Sequence, residues 1–181
     1  MTLTKLVKIG LAAVLVTWIA SCPAGAQINP SEFAGEWSGS GTDRDSPFES
    51  MRKTSCRSKI RSDLHRMSNE IVCYGQSGAR KTIHLQITVD GNQITGDLVQ
   101  TNATQPPVVR KGSVFGRSTG DSADMQIQFP GLMPSATAKF IVINPLSYSL
   151  RVAAMGAPLM DVTFKKLGQT NQPNQTSQAG Q

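Results

Sequence analysis

Glu49 to Gly75 reads ESMRKTSCRSKIRSDLHRMSNEIVCYG, and the alternation within it decides the fold. Side chains switch faces at each residue of an extended strand, so positions of equal parity share a face. Cys56, Ser58 and Ile60 share one face of a first strand, and Met67, Asn69, Ile71 and Cys73 share one face of a second. Setting Cys56 opposite Cys73 gives an antiparallel register whose paired numbers sum to 129, with Ile60 facing Asn69 and a turn through Ser62-Asp63-Leu64-His65. Opposed residues of this kind bring their Cβ atoms to about 4.5–5.5 Å. A disulfide needs about 3.5–4.5 Å, so a small local adjustment closes it. The bridge would span 16 intervening residues and contribute roughly 3 kcal/mol on the chain-entropy account. The competing reading is a pair of reduced, buried thiols; an oxidising compartment favours the bridge.

The opposite parity of the same hairpin is basic. Lys53, Ser55, Arg57, Lys59 and Arg61 point outward from the first strand, and Arg66, Ser68, Glu70 and Val72 from the second. The register sets Lys59 against Glu70. It leaves Lys53, Arg57, Arg61 and Arg66 uncompensated apart from nearby Asp63. On neighbouring strands these charges fall mostly within about one Debye length, ~8 Å at physiological salt. One reading is a solvated face that protects a sheet against edge-to-edge aggregation. The other is an anion-binding face for lipid head groups, lipopolysaccharide phosphates or an acidic partner.

The compartment is read from the first 26 residues. Lys5 and Lys8 precede an apolar run from Ile9 to Ala20, 12 residues long and too short for a membrane span. Two processing sites compete. Ala24-Gly25-Ala26 before Gln27 fits cleavage after Ala26, with Pro23 breaking the helix, and is preferred. Ile19-Ala20-Ser21-Cys22 resembles a lipoprotein box, in which Cys22 would carry the lipid and anchor the chain. Either way two of the three cysteines remain to pair. Loss of residues 1–26 leaves 16 basic and 12 acidic residues, a formal charge of +4. That charge and an aromatic content of 6% do not make a nucleic-acid binder.

Further along, the chain reads as short strands and tight turns. Residues 27–32 form a lead, and Phe33–Thr42 a first strand. Ile83, Leu85, Ile87 and Val89 alternate with Thr82, His84, Gln86 and Thr88, and Asp90-Gly91-Asn92-Gln93 is a two-residue hairpin turn. In that register Val89 faces Ile94, Ile87 faces Gly96 and Leu85 faces Leu98, so the apolar faces fall in phase. Thr101–Pro107 reads as a loop. Further strands cover Val109–Arg117, Asp124–Phe129, Lys139–Asn144, Ser147–Ala153 and Met160–Lys166, separated by Gly and Pro turns. Residues 168–181 are Gln/Asn-rich and uncharged, and are expected to be disordered. The expectation is an all-β protein: an antiparallel up-and-down barrel of about 8–10 strands over residues 27–167, since closure removes exposed edges.

Gly35-Glu36-Trp37 resembles the G-x-W that opens the barrel of lipocalins and avidins, the calycin group, where the tryptophan plugs one end. With Trp37, Gly39, Gly41, Glu49, Cys56, Cys73, Gly91, Ile94, Thr95 and Gly96, residues 33–166 resemble a family of small exported alpha-proteobacterial proteins. The resemblance implies a calycin-like barrel with Trp37 as its plug, and it transfers no catalytic residue. Further lipocalin signatures are missing, so a carrier role is not carried over.

Catalytic motifs are absent. His65 falls in a turn and His84 on the polar face of a strand, one diagonal step from Asp97, which reads as a surface polar pair. Gly39, Gly41 and Gly96 read as strand thinning or bulges rather than phosphate loops, since no helix follows them. The expected function is therefore a non-enzymatic binding module in the periplasm or at the outer membrane, without metal or cofactor. Its partner would be an anionic lipid surface, or a small apolar ligand entering a hollow barrel. The alternative is an inhibitor of secreted proteases, with Gln27–Glu32 in the protease cleft.

Overall fold

A computed structural model describes residues 29–168 other than 76–77 and 132–133. Residues 1–28, expected to include an export signal and Cys22, and the tail from 169 lie outside the described residues. Pro30–Phe33 is a single 3₁₀ turn. Ten strands follow: β1 (Gly35–Asp43), β2 (Arg52–Ser62), β3 (Arg66–Gly75), β4 (Arg80–Asp90), β5 (Gln93–Asn102), β6 (Val108–Thr119), β7 (Ser122–Gln128), β8 (Ala136–Asn144), β9 (Ser147–Ala154) and β10 (Ala157–Lys166). Each pairs antiparallel with its sequence neighbours, and β1 pairs with β10, so the sheet closes on itself as an up-and-down barrel. The all-β barrel with one disulfide stands as expected, at ten strands, and is compatible with a calycin-like architecture.

Both hairpin registers hold. Cys56 faces Cys73 and Ile60 faces Asn69 across β2 and β3. Val89 faces Ile94, and Leu85 faces Leu98, across β4 and β5. Cys56 and Cys73 are joined, with Cα atoms 4.0 Å apart, and the bridge lies on the inner face. Asp63 shapes the β2–β3 turn by accepting from the backbone N–H groups of His65 and Arg66 at 2.9 and 2.7 Å.

The interior is a packed core. At one end, called proximal here, the 3₁₀ turn lies across the opening with Pro30 and Phe33 buried. Trp37 is completely buried beneath it and donates its indole N–H to the Phe33 carbonyl at 3.0 Å. Tyr148 stacks between Phe140 and Phe164, and Trp37 and Phe33 meet this stack edge-on. One polar thread crosses the core: the Tyr148 hydroxyl donates to Ser58 Oγ, which donates to Asn69 Oδ1. The space left among Phe33, Met67, Asn69, Ile87, Met125 and Tyr148 is about 40 Å³.

The distal end, where β1 finishes and β2 begins, is closed by charge. Lys81 points inward and sits 2.9 Å from both Asp43 and Asp45. Asn102 also donates to Asp45, at 3.1 Å. Burial raises the Asp45 pKa, but the hydrogen bond and charge of Lys81, with Arg52 and Arg110 behind them, outweigh it and hold the carboxyl below its ordinary value.

Four readings are corrected. The first strand starts at Gly35, not Phe33, because Asn29 caps a turn and draws Phe33 into the core. β5 continues through Thr101 and Asn102, since Asn102 has a partner in the distal seal. Gly39, Gly41 and Gly96 are not bulges: pairing runs through them without a shift. They are thin points. A Cβ on Gly39 would lie 2.7 Å from the Phe164 ring, and one on Gly41 would collide with the Asp161 carbonyl oxygen. The register shifts lie instead between Pro158 and Met160 and between Val142 and Asn144. Finally, Lys59 faces Glu70 in the ladder but makes its ion pair with Glu36 of β1, at 3.1 Å.

Candidate functional site

A core filled by side chains leaves the outer wall and the rims as binding surface. Ligand cavities commonly measure about 300–1,000 Å³. The internal space of about 40 Å³ is little more than the roughly 30 Å³ share of one liquid water. A small apolar ligand therefore has no chamber among the described residues. The cause is the size of the inward residues, an aromatic cluster at the proximal end and long aliphatics elsewhere. Parity identifies which residues point inward, but not whether together they fill the volume.

The outer wall divides into a neutralised side and a basic side. On β6 to β10 a row of cross-strand neighbours runs Arg117, Asp124, Lys139, Arg151, Asp161. Lys139 pairs with Asp124 at 3.3 Å and Arg151 with Asp161 at 3.5 Å. This wall holds a shallow saddle, with Phe115 and Thr137 among its lining residues. Its charges largely cancel.

On β2 and β3 they do not. Lys53, Arg57, Arg61 and Arg66 are all exposed, and no salt bridge joins any of them to a carboxylate among the described residues. Lys53, Arg57 and Arg61 repeat every fourth residue on one strand, which places successive backbones ~13 Å apart. That exceeds the ~8 Å Debye length at physiological salt, so mutual repulsion along β2 is weaker than the hairpin alone implies. The face also splits. Arg61 and Arg66 line a groove near the proximal rim that includes Asp63 and Asp97. The backbone N–H groups of His65 and Arg66, helped by the nearby Arg66 charge, hold the Asp63 carboxyl below its ordinary value. Lys53 and Arg57 belong to the open wall beyond.

Barrel closure adds a residue that the hairpin could not show. Ser38 of β1 lies between Arg57 of β2 and Lys165 of β10, which sets two cations two strands apart, or about 9.5 Å. Of the carboxylates bordering this row, Glu36 is taken by Lys59 and Asp161 by Arg151, while Glu70 lies diagonal to Arg57 without an ion pair among the described residues. Small outward hydroxyls floor the patch: Ser38, Ser40, Ser55 and Thr163. Finding Lys165 from sequence requires the β1–β10 register, for which no turn supplies a signal.

His84 lies opposite Glu70 and Val99, while Asp97 faces Gln86, as the diagonal reading has it. The lead expected to enter a protease cleft is docked on its own barrel over its described part, Asn29–Glu32, because Asn29 caps the 3₁₀ turn and Pro30 is buried. No family model and no curated protein matches the chain.

Proposed function

We propose that this chain is an exported, non-enzymatic binding module that works in the periplasm or at the outer membrane and holds an anionic lipid surface against the outside of its barrel. One observation carries the reading. Among the described residues Lys53, Arg57 and Lys165 have no carboxylate partner, whereas further round the barrel Lys139 and Arg151 are each paired. A surface optimised only for solubility has no reason to separate its charges in this way. A wide, weakly repelling array of cations suits a partner that is itself an extended sheet of phosphates. Each basic residue close to an anionic membrane contributes about 1 kcal/mol.

Vesicle co-sedimentation tests it, with the purified exported protein carrying Cys22→Ser so that no lipid can be attached. Binding to vesicles of phosphatidylglycerol and phosphatidylcholine is expected at low salt, falling as salt rises and absent on phosphatidylcholine alone. Arg57→Glu with Lys165→Glu is expected to abolish it. A variant that binds as well as the parent, or a parent that does not bind at low salt, overturns the proposal.

A further inference from the structure

The loops at the distal rim carry apolar side chains that the fold does not use. Phe48, in the β1–β2 loop, is 88% exposed, and Met155, in the β9–β10 turn, is 67% exposed. Single exposed apolar residues are ordinary. These two sit on neighbouring loops that are fastened together. Arg44 donates its backbone N–H to the Leu159 carbonyl at 2.9 Å and its guanidinium to the carbonyls of Pro158 and of Glu49.

Met155 is also in the wrong backbone for its side chain. Met155 and Gly156 form a two-residue connection with Ala154 paired to Ala157, and their φ angles are 53° and 75°. A tight hairpin with both central residues at positive φ selects Asn, Asp or Gly at the first of them. Met155 is the sole non-glycine residue at positive φ among the described residues. The methionine thus costs stability and buries little of itself in return. Folding does not account for it.

The charges around this rim favour an anionic partner. Its carboxylates are engaged: Asp43 and Asp45 by Lys81, and Asp45 and Glu49 by Arg52. Lys53 and Arg80, at the distal ends of β2 and β4 on either side of β3, have no ion pair among the described residues. The proximal rim is apolar in part too, with Leu64 73%, Ile143 55%, Leu146 44% and Leu167 45% exposed. There Asp90 and Asp121 stand against Arg61 and Arg66, and no apolar tip among the described residues is held in a backbone its turn disfavours; Met155 sets the distal rim apart.

We infer that the barrel leans onto an anionic phospholipid bilayer with the distal edge of its basic wall leading, Phe48 and Met155 entering the head-group boundary, Lys53 against the phosphates and Arg57 and Lys165 facing them along the wall. This rests on the lipid-surface reading above and fixes which end meets the lipid. Apolar loop tips ringed by cations combine the two terms that hold proteins at interfaces, buried apolar area and attraction to anionic lipid.

The test uses Phe48→Trp and Leu64→Trp, each in the exported Cys22→Ser protein. Trp18 belongs to the export signal, and Trp37 is buried, so the introduced indole is the one that reports. With phosphatidylglycerol/phosphatidylcholine vesicles, Phe48→Trp is expected to shift its emission to the blue and to be quenched by acyl-chain bromines, while Leu64→Trp does neither. Phe48→Ser together with Met155→Asn is expected to lower vesicle partitioning about tenfold or more, with no loss of melting temperature, since asparagine suits the turn. If the parent binds in a salt-sensitive way but Phe48→Trp stays unshifted, the inference that the rim inserts fails and the lipid-surface reading survives. If the parent binds no anionic vesicle at low salt, both fail.

Discussion

Tyr148 and Gly39 show how little slack single residues have inside this barrel. The Tyr148 hydroxyl is buried, which pushes its pKa up despite the hydrogen bonds with Ser58 and Asn69, so it is a donor at neutral pH. Tyr148→Phe keeps the aromatic stack and removes the donor to Ser58. It is expected to cost about 1 kcal/mol in denaturant melts; an unchanged midpoint would mean that the thread does not stabilise the core. Gly39→Ala is expected to be worse than an alanine usually is in a strand. Its Cβ would lie 2.7 Å from the Phe164 ring, and that ring is held by its stack on Tyr148 at 4.7 Å. Overpacking of this kind costs about 1–3 kcal/mol.

The β2–β3 hairpin is the element on which the stability argument rests. The Cys56–Cys73 bridge ties the two strands from inside the barrel, where both residues are buried. Cys56→Ser is expected to lower stability by about 2–4 kcal/mol, and reductant should bring the parent's melting curve down toward the variant's. A parent whose curve reductant leaves unmoved would remove the bridge from the stability account. Hairpins were also the most legible part of the sequence. Period-two alternation and a turn signal fix a register locally, so Cys56–Cys73 and Val89–Ile94 could be placed without a structure. What a hairpin cannot show is the strand on its other side. The hairpin register alone pairs Lys59 with Glu70, since it cannot show β1, whose Glu36 takes Lys59 instead. Lys81 carries a readable signal: it is in phase with the inward Ile83, Leu85 and Ile87, as Asp43 is with Trp37 and Gly39. Charges of opposite sign at inward positions near strand ends mark an end seal. Lys165 had no such signal, because its neighbours come from the far end of the chain.

At the scale of the whole molecule, acid is the lever on the distal seal. The folded pKa of Asp45 lies below its ordinary 3.8. A carboxyl with a depressed folded pKa stabilises the native state fully above the unfolded value, and that contribution is lost as pH falls through the folded one. Thermal stability is therefore expected to be insensitive to Asp45 from neutral pH down to about pH 4 and to fall below that, with Asp45→Asn blunting the acid limb in circular dichroism melts. An acid limb identical in the variant would remove Asp45 from the response. Lys81→Met would leave Asp43 and Asp45 facing each other without a cation. It is expected to cost about 3–5 kcal/mol, as loss of one member of a buried pair does.

The β1–β10 pairing, seven rungs from Trp37–Lys166 to Asp43–Met160, also sets a timetable. Every other pairing joins sequence neighbours and can form as soon as both strands are present. This one joins the first strand to the last, so it is the slow, non-local step. If the chain crosses a membrane N-terminus first, β1 waits with its outer edge unpaired until the final strand arrives. Through that interval the nascent barrel is an open sheet with two strand edges exposed to any other chain. Survival on the far side then depends less on the stability of the finished barrel than on how quickly the ten residues of β10 reach their place beside the nine of β1.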